Sequence, residues 1–584
     1  MLFAAVSRLG REAIAVAVNA VIDKVGEPAG TVVSDSSALC AWPPGSLDAA
    51  RSQCVEGYCD LEGEPSFDTI SGARGDFVLL ALRDGGVLAA SGRAGGSRPI
   101  YVGRISNHTV VLSSHLSLVL AALPVRPDPD LEFLVASLAL DGPLPPAGTP
   151  YTGVQRVPMG QAWLVGPERE ERRSTVRPMS EREVVCDDRE LAAQFREALE
   201  MAVQRSALGA RRIAVMTSGG LDSSSVLALL LRLSKRGAIP SPPAAYCLDF
   251  SAPSVGDDRP HRRALEAHLG VRIERITVDQ FPHFSLRDFV VDEVPSPLPT
   301  HALLVELGRR AMRDGATVLM SGSGGDDVVD GRPALFAQVA QKGNLVSAAW
   351  SLHRLRGLVG FTRGRRWRDL LFKPLLRHLV PVGARREHRR RSIVSRYPWA
   401  GPRLRAQLEQ IVGAPYSNAS LDEPPASRYQ RLLALPVFGV TRMPRSQEEF
   451  SGGHLRRDPF LDDDFLRFVA RIPPLALMQG NFLRGLLRES MRGILPESLR
   501  LREDKAPLEP ACAALIHKAG GFEILERLSR VPLLADLKLV EPVPFRRRFE
   551  EIAKQPLQGG WPQVWATLAA EAFLQAQSSG GGAS

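Results

Sequence analysis

The 584-residue sequence predicts an α/β protein in which a mostly β N-terminal region precedes a parallel sheet with helical extensions. Three observations predict it. Up to about residue 180, short apolar runs are broken by Gly- and Asp-rich turns. Strand-like and helix-like segments then alternate, and downstream of Ser347 the pattern is largely helical. The length and a 44% hydrophobic content permit two or more domains, read as 1–180 and 187–584.

The elements follow in order. Gly75-Asp-Phe-Val-Leu-Leu-Ala-Leu82, Val87-Leu-Ala-Ala90 and Val110-Val-Leu-Ser-Ser114 read as short strands between turns. Asp141 to Pro150 reads as a loop, and Pro178 to Cys186 as a linker. Asp188 to Leu208 has helical spacing and an aspartate to cap it. Ile213-Ala-Val-Met216 is a short buried strand, followed by a Gly-rich turn and an apolar helix over Ser223 to Leu233. Ala244 to Phe250 and Val271 to Val278 add strands on either side of a helix from His261 to Leu269. That alternation predicts a doubly wound parallel sheet.

A formal net charge of +9 and a pI near 9.5 favour anionic partners. Arginine concentrates in a basic helical insertion over about 350–405, notably Arg363-Gly-Arg-Arg-Trp-Arg368 and Arg385-Arg-Glu-His-Arg-Arg-Arg391. It reads first as a solvated helix surface and second as a docking surface for a peptide or partner protein. Nucleic acid is not expected, because aromatics are 6% of the chain and barely interleave with these arginines. Cysteines at 40, 54, 59, 186, 247 and 512 are too scattered for a zinc set and read as reduced thiols. No stretch approaches the roughly 20 apolar residues of a membrane span. The apolar run from Ala13 to Ile22 follows Arg8 and Arg11 as in a secretory signal, but lacks a convincing cleavage site. The cytoplasm is the expected compartment, with peripheral attachment to an exporter as a further option.

Chemistry concentrates in two turns. Ser218-Gly219-Gly220-Leu221-Asp222-Ser223-Ser224 joins a buried strand to a helix. The glycines permit close backbone approach, and helix-start N–H groups with serine hydroxyls suit a phosphate. Asp222 would repel that phosphate unless a cation such as magnesium lay between them. The turn lacks the Gly-Lys-Ser/Thr end of a Walker A loop. Downstream, Thr317-Val-Leu-Met-Ser-Gly-Ser-Gly-Gly-Asp326-Asp327 is a second strand entering a Gly-rich acidic turn. Both loops would leave the carboxyl edge of a parallel sheet, placing Asp222 and Asp326, with Asp327 as a further candidate, to share one magnesium.

The first string resembles the pyrophosphate loop of the N-type ATP pyrophosphatases, and the chain as a whole resembles the asparagine synthetase superfamily. Ser321 to Asp327 is similar to that family's second loop, and Arg457-Asp-Pro-Phe-Leu-Asp462 to its Arg-x-Pro-Phe-Leu-Asp segment. Phe482-Leu-Arg484, Leu495-Pro496 and Arg502-Glu-Asp-Lys505 resemble its Leu-Arg, Leu-Pro and Arg-x-x-Lys stretch. The resemblance implies ATP and Mg2+ as cofactors. It implies ATP and pyrophosphate binding by Ser218, Gly219, Gly220, Asp222, Ser223, Ser224, Ser321 and Gly322, and catalytic roles for Asp222, Asp326 and Lys505. Lys505 would stabilise negative charge during adenylation and aminolysis. Asp258 is matched to a family acidic residue.

The N-terminal half resembles the family's glutaminase domain, of Ntn type, through Gly75-Asp-Phe-Val78 and Gly96-Ser-Arg-Pro-Ile-Tyr101. That domain uses a cysteine next to Met1; here the residue is Leu2, and glutamine hydrolysis is not expected. Ser323 stands where β-lactam synthetases have tyrosine and asparagine synthetases have glutamate. Gly324-Gly325-Asp326-Asp327 is more like the lasso-peptide macrolactam synthetases. The resemblance therefore implies a synthetase that adenylates an Asp or Glu side chain of a precursor core peptide and joins it to the peptide's N-terminal amine. A leader-peptide-binding protein and a leader peptidase would be its partners. The alternatives are an ammonia-dependent amidotransferase or a β-lactam-synthetase-like enzyme on a small substrate, and an inactive peptide-docking scaffold.

Overall fold

The computed structural model describes the chain apart from residues 10, 43–45, 93–97, 141, 143, 159, 250–257, 278–289, 292–293, 296–300, 332, 334, 357–362, 377–379, 414–419, 434–454, 505–522, 556–560 and 580–584. Period-two alternation decides the N-terminal architecture. In the strand Leu2–Ser7, Leu2, Ala4 and Val6 enter one apolar core, while Phe3 and Ala5 enter another. A strand apolar on both faces must be covered on both.

Its sheet has six antiparallel strands in the order Gln155–Arg156, Tyr101–Ser106, Thr109–Ser113, Leu2–Ser7, Ser37–Ala41 and Gly30–Val33. A second sheet of six runs Glu170–Ser174, Gln161–Val165, Gly86–Ser91, Arg74–Arg83, Gln53–Asp60 and Leu47–Asp48. The two stack through a core that includes Cys54, Val78, Leu80 and Trp163. Helix Arg11–Val25 closes the outer face of the first sheet with Ile14, Ala17, Val18 and Val21. The apolar run at 13–22 is the body of that core helix.

A buried charged cluster ties the two sheets. Glu56 accepts from Ser114 Oγ at 3.0 Å and meets the Met1 amine at 3.2 Å and Arg98 at 3.5 Å. Arg98 also pairs with Asp76 at 3.1 Å. Burial alone would raise the Glu56 carboxyl, but the Met1 amine, His115 and Arg98 outweigh it and bring it down to about 2. A depressed folded pKa gives stability that is fully present above the unfolded value and lost as pH falls through the folded one. Glu56→Gln is therefore expected to cost about 2 kcal/mol at neutral pH. In urea titrations the gap to the parent should close as pH falls from 4.5 towards about 2.

The second half is organised by five parallel strands in the order Ile273–Thr277, Ala244–Asp249, Ile213–Met216, Val318–Met320 and Leu455–Arg457. Ile213 and Val215 face the core that holds helix Leu221–Lys235, and Ala214 faces the opposite core with Leu307 and Ala311 of helix His301–Arg313. Helix Asp188–Ser206 starts where expected, capped by Asp187, which accepts from the backbone of Arg189 and Glu190. The apolar helix after the Gly-rich turn begins at Leu221 rather than Ser223, so Asp222 lies inside its first turn.

The helical remainder does not simply extend the parallel sheet. Trp399, Leu404, Leu408, Phe545, Trp565 and Phe573 share one core with Phe3, Val21 and Leu134 of the N-terminal half. Within the basic region, Arg365, Arg368 and Lys373 converge on Asp369, and Arg390 and Arg391 pair with Glu387. Much of the arginine excess is thus partnered along exposed helices, as the solvated-surface reading expects.

Candidate functional site

The two Gly-rich turns lie side by side at one sheet edge because their strands are neighbours. Ile213 is in register with Val318 and Val215 with Met320, in parallel, so both following loops leave at the carboxyl end. Backbone crowding then fixes how closely the loops meet. A Cβ on Gly322 would lie 2.4 Å from Ser223 N, and one on Gly325 would lie 2.5 Å from Asp222 Cγ. Only glycine allows this contact. Gly219, at φ +95°, likewise presses against Asp258 and Arg262 at the start of helix Arg259–Leu269.

The loop residues divide by environment. Ser218 is exposed and accepts from the Gly220 N–H at 3.2 Å. Ser223 Oγ lies 3.4 Å from Thr217 Oγ1. Ser224 is fully buried, and its hydroxyl has no hydrogen-bond partner among the described residues. Buried hydroxyls in folded proteins are almost always hydrogen-bonded, so this one stands out.

Asp222 and Asp326 both reach Arg484, which stands between them. A single guanidinium nitrogen lies 2.8 Å from Asp222 Oδ2 and 2.7 Å from Asp326 Oδ1. Asp330 adds a third carboxylate at 3.6 Å. Burial disfavours the charge on Arg484, but Asp222, Asp326 and Asp330 outweigh it and hold its pKa above the ordinary value. Asp327 is exposed on the same short helix as Asp326. Among the described residues, no group of three or more His, Cys, Asp or Glu side chains is arranged to hold a metal by itself.

The remaining motifs brace these loops. Arg502 pairs with Asp258 at 2.5 Å and Asp504 at 2.7 Å, and reaches the Gly219 carbonyl at 3.4 Å. Lys505 lies outside the described residues, as do Gly96, Ser97 and Cys512. Asp458 accepts from Ser321 Oγ, and Arg456 donates to Ser323 Oγ at 2.7 Å. Arg457 is buried and donates to the carbonyls of Ser206 and Leu208 at the end of helix Asp188–Ser206. Arg98 of the N-terminal half donates to the Arg456 carbonyl at 3.2 Å, linking the two halves at the second loop. The sequence motifs contain Arg484 and Arg502 but give them no function, and Arg456 lies just outside its motif; for Arg484 an arginine within an apolar string was the available signal.

No described cysteine is poised as a nucleophile. Burial pushes Cys40 and Cys247 up to about 11 and Cys59 to about 12, and raises Cys54 and Cys186. Leu2 is fully buried.

Two solved structures share limited similarity. One is described as the allosteric regulatory enzyme of purine biosynthesis, at 10% identity, covering 49% of this chain and 81% of that one, with a TM-score of 0.21. The other is glutamine phosphoribosylpyrophosphate amidotransferase from B. subtilis complexed with ADP and GMP. It has 11% identity, covers 55% of this chain and 81% of that one, and has a TM-score of 0.21. At those scores neither carries weight for fold or chemistry. No curated protein matches the chain. Residues 194–575, well over half of the sequence, match asparagine synthase, and the chain belongs to that family.

Proposed function

We propose that the chain is an ATP-dependent amide synthetase that adenylates a carboxylate, releases pyrophosphate, and transfers the acyl group to free ammonia or another amine without hydrolysing glutamine. The observation that carries it is the convergence of Asp222 and Asp326 on one point beside the start of helix Leu221–Lys235. The residues fit Mg-ATP: two carboxylates meet at a cation position, and Ser224, two residues after Asp222 in the helix, has a hydroxyl without a partner among the described residues. Magnesium commonly needs no more than one or two carboxylates when phosphates complete its shell. Asp222 and Asp326 would hold the ion, which would neutralise phosphate charge as pyrophosphate leaves.

The protein's own groups do the rest. The first-turn N–H groups of the helix and the hydroxyls of Ser218, Ser223 and Ser224 receive the leaving phosphates. Gly322 lets the second loop close against them. In this reading the parallel domain is of the N-type ATP pyrophosphatase kind, and the N-terminal sandwich is a glutaminase-like Ntn domain without a working thiol. Lys505 supplies positive charge to the reacting acyl centre. Arg484 must yield when magnesium enters. Arg484→Gln is thus expected to lose about 1 kcal/mol in urea without Mg2+, through repulsion of two partly solvated carboxylates, and to regain it when Mg2+ is added. A parent-like Mg2+ response would remove Arg484 from the metal position.

A second reading takes the acyl donor as an Asp or Glu side chain of a core peptide, closed as a macrolactam. The exposed Arg365, Arg368, Arg386, Arg390 and Arg391 and the Gly324–Asp327 string favour it, and a leader-binding protein and a peptidase would then act beside the enzyme. Incubation with Mg-ATP separates the two. L-aspartate plus ammonium should give asparagine and AMP under the first reading, whereas a core peptide should give AMP and loss of one water under the second. Formation of ADP in both would contradict the shared adenylation step.

A further inference from the structure

Exposed apolar side chains concentrate in one stretch of the helical half. Among the described residues, sixteen large apolar side chains are exposed, and seven of them fall within residues 345–382, Val346, Trp350, Phe372, Leu376 and Val382 among them. Single exposed apolar residues are ordinary, whereas a cluster of them marks an interaction surface. Helix Leu345–Arg354 shows that folding does not use them. Its Ala348 and Leu352 enter a core with Phe336 and Leu371, while Val346, Trp350 and Arg354, four residues apart, lie exposed on the opposite face. Phe372 and Leu376, also four apart, are exposed where the neighbouring Leu371 is buried. Rings join the two patches. Trp350 stacks on His353 with centroids 6.3 Å apart, His353 lies 6.5 Å from Trp367, and Trp367 lies 6.4 Å from Phe372.

The same stretch holds the chain's positive charge. Residues 345–394 contain thirteen arginines and lysines against Asp369 and Glu387, a surplus of eleven that exceeds the +9 of the whole chain. Local pairing does not cancel it, because the cations share their partners. Arg365, Arg368 and Lys373 meet the one Asp369 at 3.7, 3.0 and 2.9 Å, and Arg390 and Arg391 meet the one Glu387. Glu409 and Glu503, from outside the stretch, pair with Arg390 and Arg356. Arg354 lies over the Trp350 ring at 5.7 Å, so cation and apolar group occupy one face.

We infer that this stretch docks the protein on the surface of an anionic lipid bilayer. A bilayer uses both halves of the pattern. Its interface takes up protruding Val, Leu, Trp and Phe side chains, with the rings at headgroup level, and anionic headgroups attract the arginines beside them. An acidic protein surface matches the arginines alone. Single-stranded nucleic acid would stack on the two exposed rings but gain nothing from the exposed aliphatic side chains, which are five of the seven. Helices of 10 and 13 residues, Leu345–Arg354 and Val382–Val394, are of a length to lie in an interface plane. The inference is independent of the adenylation reading.

Flotation of the full chain with lipid vesicles tests it. Phosphatidylcholine vesicles with about one third phosphatidylglycerol should bind about tenfold or more tightly than pure phosphatidylcholine, and less tightly as salt rises. The double variant Trp350→Ser, Phe372→Ser should lose about tenfold in partitioning onto the anionic vesicles. Arg354→Gln with Arg368→Gln should lose about as much, near tenfold. All four side chains are exposed, so the urea midpoints should match the parent. Val125→Ser removes an exposed apolar side chain outside the stretch and should bind as the parent does. Equal binding to the two kinds of vesicle would overturn the assignment. So would anionic-vesicle binding undiminished in Trp350→Ser, Phe372→Ser, the result that charge alone would give. Equally tight capture of poly-L-glutamate or oligothymidylate by that double variant would then place a soluble polyanion on the surface instead.

Discussion

Asp222→Asn is expected to reduce carboxylate-dependent ATP–pyrophosphate exchange by about 100- to 1,000-fold while leaving the fold intact. The substitution is nearly isosteric, so packing against Gly325 is preserved. What it removes is one of the two charges that meet at the Arg484 guanidinium. With asparagine there, Arg484 keeps Asp326 and Asp330 as partners, and the helix start loses the carboxylate assigned to the cation. An unchanged urea midpoint with lost exchange would support the role. Parent-like exchange would take Asp222 out of the nucleotide site.

Gly322→Ala is expected to cost about 3 kcal/mol in stability and to lower the exchange rate by about 100-fold. The added Cβ would meet Ser223 N at 2.4 Å, Asp222 C at 2.7 Å and Ser223 Cα at 2.8 Å. All three are backbone atoms in the first turn of a helix packed into the main core, so no flexible side chain can move aside. Either the second loop is displaced or the helix start shifts. Both separate Asp326 from Asp222, and displacements of about 1 Å at a reacting centre carry penalties of this size. Chemical denaturation and exchange should therefore fall together. By contrast, Gly364→Ala places its Cβ in open space on an exposed stretch and should change neither.

The parallel strands and the loops between them were legible because their signals are local. A short apolar run, two glycines and a carboxylate specify a strand, a tight turn and a helix start within a dozen residues. The strand Leu455–Arg457 was not legible. It is three residues long, two of them arginines, and exists through its pairing with Val318–Met320. Both arginines are buried because their guanidinium groups find acceptors at Ser323, Ser206 and Leu208, partners that composition cannot reveal. Arg484 is similar. Its string was conspicuous, yet the carboxylate it reaches is 262 positions away. The packing of Trp565 and Phe573 against the N-terminal half also depended on contacts across nearly the whole chain. The resemblance matched Asp258 to a family acidic residue without placing it; Arg502, which pairs with Asp258 and reaches the Gly219 carbonyl, supplies its link to the first loop.

The central claim is that ATP is cut between its α- and β-phosphates by a carboxylate held at the Asp222–Asp326 edge. Isotope exchange between labelled pyrophosphate and ATP, with Mg2+ and either L-aspartate or an aspartate-containing core peptide, measures that step alone. The account predicts label in ATP that depends on the carboxylate, needs neither ammonium nor glutamine, and disappears in Asp222→Asn. Release of ADP and phosphate in place of exchange, or exchange undiminished in Asp222→Asn, would contradict it.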